Sequence, residues 1–201
     1  MSLLKYEKPH RNEVKIGNRW YKTVTIGSQV WLAENLDYAW DGLLVGDTGI
    51  SDTVPMANYY KYDETNYKQY GLGYNVAAVN YLNDNRVKLL GDWRVASSSD
   101  WDTLATTVGG SSVAGTKLKS TTGWTEGNGD GSYGFNVPAC GSYGGVSPGM
   151  FLGEGTSAWY WTSTEANASL QVARGFNTTA AMNSGNGYKY YYDYVRLVKD
   201  A

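Results

Sequence analysis

Cysteine and histidine are almost absent, since Cys140 and His10 are the only examples among 201 residues. A single cysteine excludes an intramolecular disulfide, so the fold must be stabilised by packing. Zinc sites built from clustered cysteine and histidine are excluded too. His10 falls in residues 1–13, which we expect to form a flexible N-terminal arm ahead of one domain spanning residues 14–201.

Long apolar runs and basic clusters are also missing. No stretch approaches the roughly 18 apolar residues of a membrane span, so we expect no membrane insertion. The formal net charge is -2 and the basic residues are scattered, which argues against a nucleic acid partner. The start, Met1 to Tyr6, has no apolar signal-peptide core, so we expect either export by a route other than Sec or prior removal of a leader.

Glycine and aromatic residues are abundant, with 25 Gly, 18 Tyr and 8 Trp. This composition favours turns and flat aromatic packing over long helices, and indicates an irregular β-rich protein. From Val14 to Leu36, apolar and polar residues alternate around Gly17 and Gly27. That pattern predicts a β-hairpin or meander.

Helical signals are few. Ser97 to Asp100 offers a capping box, and the apolar residues Trp101, Leu104, Ala105 and Val108 then share one helical face, which predicts a helix ending at Gly109. Residues 75–85 fit either a second helix or a strand followed by a turn. Residues 41–53 and the glycine-rich stretch 123–132 are predicted loops.

The segment Gly91 to Trp101 resembles a sequence box of the Fibrobacter succinogenes major paralogous domain family. Ala96 stands where the box has proline, and Asp100 supplies the acidic residue before the last tryptophan. Further blocks resemble the family in the same order, at residues 26–36, 70–75, 114–119, 134–141, 159–164 and 194–200. The resemblance spans residues 14–200, and so many ordered blocks are far more specific than any single motif.

This resemblance implies an α+β domain with a C-type lectin-like fold. Such a fold has small twisted antiparallel sheets, one or two short helices and long ordered loops. Because family members are mostly bacterial surface proteins, it implies a location at the cell surface, outside the cell or on a phage virion.

The C-terminal tract from Glu165 to Tyr194 is the main candidate site. Tyrosine mixed with Asn, Ser and Gly is typical of antibody-like binding surfaces, because tyrosine gives rigid contact area and the small polar residues give adaptable hydrogen bonds. The alternative is ordinary edge-strand and loop residues, and we expect Tyr160 and Tyr194 to face the core. The predicted ligand-binding residues are Asn167, Ser169, Gln171, Arg174, Asn177, Asn183, Asn186, Tyr188, Tyr190, Tyr191 and Tyr192.

The same tract, framed by residues 161–164 and 194–196, resembles the variable region of proteins diversified by mutagenic retroelements. Adenine-directed mutagenesis turns Asn codons into Tyr, Ser, Thr, Ala, Asp or Gly. The residues that fit this set are Asn167, Ala168, Ser169, Asn177, Thr178, Thr179, Tyr190, Tyr191, Tyr192 and Asp193. The resemblance implies a hypervariable binding surface for a protein or glycan on a cell surface.

Two further binding chemistries are weaker candidates. Glu126, Asn128 and Asp130 offer oxygen ligands for calcium, but the EF-hand spacing is absent and a solvated turn is the favoured interpretation. Exposed tryptophans can stack on sugar rings. We assign that role to Trp40, Trp124 and Trp159, and core positions to Trp20, Trp31, Trp93, Trp101 and Trp161.

Catalysis is the least supported class. No nucleophile elbow or phosphate loop occurs, and Cys140 follows an apolar run typical of a buried residue. Formylglycine-generating enzymes share the lectin-like fold but use a pair of reactive cysteines, and this chain has one. We therefore predict a non-catalytic binding module, with a structural subunit of a surface assembly or adhesin as the alternative.

Overall fold

The computed structural model describes residues 12–144 and 150–201. His10 and residues 1–11 of the predicted arm lie outside this range, and Glu13 already belongs to the first strand. Within the described residues the fold is α+β, as predicted, with three sheets.

The strands of the described residues are β1 (Glu13–Ile16), β2 (Arg19–Ile26), β3 (Gln29–Leu32), β4 (Leu44–Val45), β5 (Met56–Asn58), β6 (Gly73–Tyr74), β7 (Arg94–Val95), β8 (Cys140–Gly144), β9 (Met150–Glu154), β10 (Ser157–Glu165), β11 (Leu170–Asn177), β12 (Met182–Tyr188) and β13 (Leu197–Asp200). The helices are α1 (Tyr67–Tyr70), α2 (Val76–Asp84), α3 (Arg86–Leu89), α4 (Ser98–Thr107) and α5 (Ser111–Leu118). Single 3-10 turns lie at Tyr60–Tyr62 and Glu64–Asn66.

The first sheet has the order β1-β2-β3-β13-β7 and is antiparallel throughout. The predicted meander is confirmed: Gly17 and Gly27 turn between its strands with φ of 58° and 61°, where other residues are strained. Strand β13 pairs with β3, so Val198 lies opposite Trp31 and the last strand is inserted beside the early ones.

The second sheet has the order β12-β11-β10-β8-β9 and carries most of the candidate tract. Its pairs are antiparallel except β8 with β10, which are parallel. The third sheet, β4-β5-β6, also contains one parallel pair. The expectation of antiparallel sheets is therefore wrong at these two pairs.

The predicted capped helix is confirmed as α4. The Ser97 side chain accepts from the Asp100 backbone N–H, and the Asp100 carboxylate accepts from the Ser97 N–H. The ambiguous residues 75–85 form helix α2, whose first turn is capped by the Asn75 side chain.

The expectation of one or two short helices is wrong, because three helices of eight or more residues occur in the described residues. Helix α5 was missed because Gly115 weakens its helical signal. The fold needs glycine there, since an added Cβ would stand 2.6 Å from the Ala181 carbonyl oxygen.

The second sheet lies between two apolar clusters. On one side, Tyr160 and Phe176 pack with Trp101 of α4 and Leu118 of α5. On the other side, Trp161 and Ala173 pack in a cluster with Val76, Val79 and Leu82 of α2. The core positions predicted for Tyr160 and Tyr194 are confirmed, at 0% and 2% exposure.

Some of the tryptophan predictions are confirmed and others are wrong. Trp31, Trp93, Trp101 and Trp161 are buried as predicted, while Trp20 is only partly buried. Trp40 and Trp124 were expected to offer open edges but are buried. The Trp124 ring donates to the Val137 carbonyl at 3.1 Å and has the Lys119 ammonium over its face. Trp159 is half-buried and keeps an accessible surface.

Arg196 lies directly before β13 and is fully buried. Its guanidinium donates to the Asn35 side chain and to the carbonyls of Leu32 and Phe135, each at 2.8 Å, and to that of Asn136 at 3.0 Å. These acceptors satisfy a buried charge with dipoles, which makes Arg196 a structural residue. No helix in the described residues has the length and apolar character needed to cross a membrane.

Candidate functional site

The candidate tract forms β11, β12 and the turn that follows, with β12 at the edge of the second sheet. Of its predicted ligand-binding residues, Asn167, Ser169, Asn186 and Tyr188 are exposed, and Asn177, Asn183, Tyr190 and Tyr191 are partly exposed. These eight residues lie where a ligand could reach them.

Three tyrosines of this surface pack on one another and are called here the tyrosine cluster: Tyr188, Tyr190 and Tyr191. Tyr188 stacks on Tyr190 with ring centroids 5.4 Å apart. Tyr191 meets Tyr190 edge-on at 5.1 Å and Tyr188 at 5.6 Å. The rings are thus held in place before any ligand arrives.

Three other predicted ligand-binding residues are buried. Gln171, at 2% exposure, donates to the Thr162 carbonyl at 2.8 Å. Arg174, at 3%, forms an ion pair with Asp102 of α4 at 2.7 Å. Tyr192, at 1%, packs edge-on against Tyr143. Their assignment to the ligand surface is wrong, because strand pairing turns these side chains into the protein.

Two of the predicted asparagines also shape turns. The Asn167 side-chain oxygen accepts from the backbone N–H of Ser169 at 2.9 Å and of Leu170 at 3.0 Å. The Asn177 side-chain oxygen accepts from the Thr179 N–H at 2.9 Å. Such bonds are the usual way in which Asn directs a turn, so these carbonyl groups are already engaged.

A cavity of about 200 Å³ opens beside the tyrosine cluster. It is lined by Ser142, Gly144, Trp159, Ala173, Asn186, Gly187, Tyr191 and Asp193. The tract and the scaffold both contribute: Tyr191 and Asn186 come from the tract, and Trp159 from β10.

Glycines of the second sheet make room for the aromatic rings. An added Cβ would stand 2.7 Å from the Trp159 ring at Gly175, 3.0 Å from it at Gly185, and 2.6 Å from the Trp161 ring at Gly187. Any side chain at these positions would displace an indole. The two rings therefore lie directly against the strands, and the Trp159 ring lines the cavity.

Asp193 is the one carboxyl group among the residues that line the cavity. Its backbone pairs with Tyr74, and the residue is 5% exposed. Tyr192 packs on Tyr143 and Tyr194 donates to the Cys140 carbonyl, so alternation along an extended backbone places Asp193 on the opposite side from both.

The Asp193 side chain has no hydrogen bond or ion pair with any other described residue. Burial raises the pKa of its carboxyl to about 8. A buried polar group without a partner is costly, and such groups cluster at functional sites. Sequence reasoning placed Asp193 among the diversified residue types but missed it as a site residue, although a lone acid between Tyr192 and Tyr194 was a usable signal.

The glycine-rich loop already engages two of the residues proposed for calcium, Asn128 and Asp130. The hydrogen bond from Lys117, at 2.6 Å, holds the pKa of the Asp130 carboxyl below its ordinary value, and the Asn128 side-chain oxygen accepts from the Trp124 N–H. In the described residues no three His, Cys, Asp or Glu side chains, Glu126 included, are grouped so as to hold a metal ion. The loop is an ion-paired turn.

A larger groove of about 700 Å³ lies elsewhere, and its lining residues include Arg19, Asp37, Trp40 and Tyr81. Arg19 and Asp37 form an ion pair with each other. Tyr81 stacks on Trp40 at 5.2 Å. Arg19 and Asp37 thus already neutralise each other, whereas Asp193 has no partner among the described residues.

The model of the Fibrobacter succinogenes major domain family matches residues 24–199 of this chain. The chain belongs to this family. The match includes every residue that lines the cavity. No curated protein and no solved structure matches the chain.

The sequence box that resembles this Fibrobacter succinogenes major domain family holds the first sheet to α4. Arg94 of β7 forms ion pairs with Asp100 at 2.8 Å and with Asp200 of β13 at 3.0 Å. Asp100 also caps the helix, and Trp101 packs 5.0 Å from Trp31 in the core. The box is therefore structural. Its Trp101 packs on one side of the second sheet, and the cavity residues Trp159 and Ala173 belong to the cluster on the other side.

Proposed function

We propose that this Fibrobacter succinogenes major domain is a non-catalytic recognition module with a C-type lectin-like fold. It binds a protein or glycan ligand through the tyrosine cluster and the adjoining cavity. The observation that carries the proposal is their adjacency: exposed tyrosines and amides border a cavity that contains aromatic rings and one unpaired acid.

The chemistry of this surface supports recognition. Tyrosine offers a large contact area with few rotatable bonds, so it loses little entropy when it is bound. Tyr188, 47% exposed, is already packed against Tyr190 and Tyr191, which lowers that cost further.

The non-catalytic part of the proposal rests on the titratable groups. Burial raises the pKa of the Cys140 thiol to about 12, so at neutral pH it is not the thiolate that cysteine chemistry requires. The residues that line the cavity include no second carboxyl group and no histidine that could act as an acid–base partner of Asp193.

We further propose that the domain is displayed on a bacterial cell surface or a phage virion and that its exposed tract is hypervariable. The tract's exposed residues, such as Asn186, Tyr188 and Tyr190, belong to the types that adenine-directed mutagenesis produces. Two of its buried residues, Gln171 and Arg174, are outside these types and bind the scaffold instead.

A whole-cell and glycan-array binding assay tests the proposed function. The double variant Tyr188→Ala/Tyr190→Ala removes two rings with little loss of core packing, and we expect it to lose at least tenfold in affinity, since aromatic anchors dominate such surfaces. The matched control is Tyr81→Ala, an accessible tyrosine in the larger groove. Loss of binding only in the control would move the site to that groove.

A structural subunit of a surface assembly is the second candidate. It is favoured by Met150 and Leu152, which are 56% and 51% exposed on β9, an edge strand of the second sheet. Exposed apolar edge strands pair readily with other chains. Sedimentation equilibrium of the protein and of Met150→Ser/Leu152→Ser decides this: a monomer in both cases rules out self-assembly through β9.

A further inference from the structure

The Asp193 carboxyl has no ion-pair or hydrogen-bond partner in the described part of the protein. The basic side chains of the candidate tract are paired elsewhere, Lys189 with Glu165 at 2.8 Å and Arg174 with Asp102 at 2.7 Å. The segment 145–149, which joins β8 to β9, contains no charged residue. None of these groups forms an ion pair with the Asp193 carboxyl.

The other cavity residues suit a positive charge. Trp159 and Tyr191 both line the cavity, and the faces of such rings attract cations, tryptophan most strongly. A carboxylate adds direct charge pairing, which is strong where water is largely excluded. A carboxylate and aromatic rings lining one cavity are a common recognition chemistry for an organic cation.

The size of the cavity limits the ligand. Its volume of about 200 Å³ is below the roughly 300–1,000 Å³ of pockets that enclose a drug-sized molecule. It accommodates the end of one side chain or a comparable group, while the tyrosine cluster at its border remains available to contact the rest of a larger ligand.

We propose that this cavity binds an alkylammonium group of the ligand, held by the Asp193 carboxylate beside the rings of Trp159 and Tyr191. This inference rests on the proposed recognition function and adds its ligand chemistry. The ammonium group can belong to a lysine side chain of a protein or to an amino sugar, and the two sources share the same chemistry at the cavity.

The test is a titration followed by the NMR signal of the Trp159 indole N–H, assigned with Trp159→Phe. The probes are Nα-acetyl-lysine methylamide and its neutral counterpart Nα-acetyl-norleucine methylamide, then glucosamine and glucose. We expect the signal to shift with the charged member of at least one pair and with neither neutral probe. A shift with the lysine probe alone indicates a protein ligand, and a shift with glucosamine alone indicates an amino sugar.

Two variants and a pH series complete the test. Asp193→Asn keeps the shape and removes the charge, so cation affinity should fall at least tenfold; Asp92→Asn, an exposed acid outside the cavity, should leave it unchanged. Asp193 and Tyr191 are the titratable residues among those lining the cavity. Because burial raises the pKa of Asp193 to about 8 and the lysine probe keeps its charge up to about pH 10, affinity for that probe should be at least about tenfold higher at pH 9 than at pH 6.

Equal affinity in Asp193→Asn, or equal shifts with norleucine and lysine probes, overturns the proposal. Binding of glucose with no preference for glucosamine overturns it too and indicates a neutral sugar. These failures are distinct from failure of the proposed function. If no probe shifts the Trp159 signal, but binding to cells is still lost in Tyr188→Ala/Tyr190→Ala, the recognition function stands and only the cation pocket is rejected.

Discussion

The Trp159 indole lies against Gly175 of the neighbouring strand, where an added Cβ would stand 2.7 Å from the ring. The two residues face each other directly in the pairing of β10 with β11. The absence of a side chain at Gly175 therefore decides where the Trp159 ring lies, and with it the shape of the cavity.

Replacing Gly175 by alanine tests this relationship. We expect Gly175→Ala to push the Trp159 ring aside and to lower the free energy of unfolding by about 1–3 kcal/mol, as overpacking does. Gly185→Ala, whose Cβ would stand 3.0 Å from the same ring, is the milder comparison and should cost less. Urea denaturation measures both, and equal stability of Gly175→Ala and wild type would contradict the packing.

Asp193 makes stability depend on pH. Its folded pKa, about 8, lies above the roughly 3.9 of an unfolded aspartate, so between these values the folded state holds a proton that the unfolded state has lost. The contribution of Asp193 to stability is complete below pH 4 and is lost as pH rises to 8. Over that range the free energy of unfolding falls by up to about 1.4 kcal/mol per pH unit.

Urea unfolding at pH 5 and pH 8.5 checks this prediction. The wild-type protein should lose stability over that interval relative to Asp193→Asn, which has no proton to release at this position. Parallel stability profiles of the two proteins would show that Asp193 titrates in the folded state as it does in water.

Within the same tract, Arg174 is a buried scaffold residue and Asn186 is an exposed surface residue, so their substitutions should affect stability differently. Arg174→Met removes hydrogen bonds to Ser98, Asp102 and Ser184 and should cost about 1–3 kcal/mol in the free energy of unfolding. Asp102 stays accessible to water, which limits the loss. Asn186→Ala, on the exposed surface, should change stability by less than about 0.5 kcal/mol. Equal effects would mean that the buried role of Arg174 is wrong.

The diversification proposal has a genetic test. We expect a near-copy of the tract's coding DNA beside a reverse transcriptase gene, differing at adenines. The differences should fall on codons of exposed residues such as Tyr188 and Tyr190 and spare Arg174, since losing its buried contacts would destabilise the fold. A locus with neither element, or differences spread evenly over buried codons, would refute it.

Parts of the fold follow from short-range signals. The meander around Gly17 and Gly27 and the capping box at Ser97 depend on residues a few positions apart, so they were predictable. Helix α5 was not, because its Gly115 is explained only by the close approach of Ala181, sixty-six positions later in the chain.

Part of the candidate site likewise follows from local sequence, and part depends on long-range contacts. Composition was enough to mark the tract between Trp161 and Tyr194, since its Tyr and Asn content is a local property. Which of its side chains face water depends on how β11 and β12 pair and on the bridges that join Tyr192 to Tyr143 and Asp193 to Tyr74. Only these long-range contacts bury Tyr192 in the core and place Asp193 at the cavity.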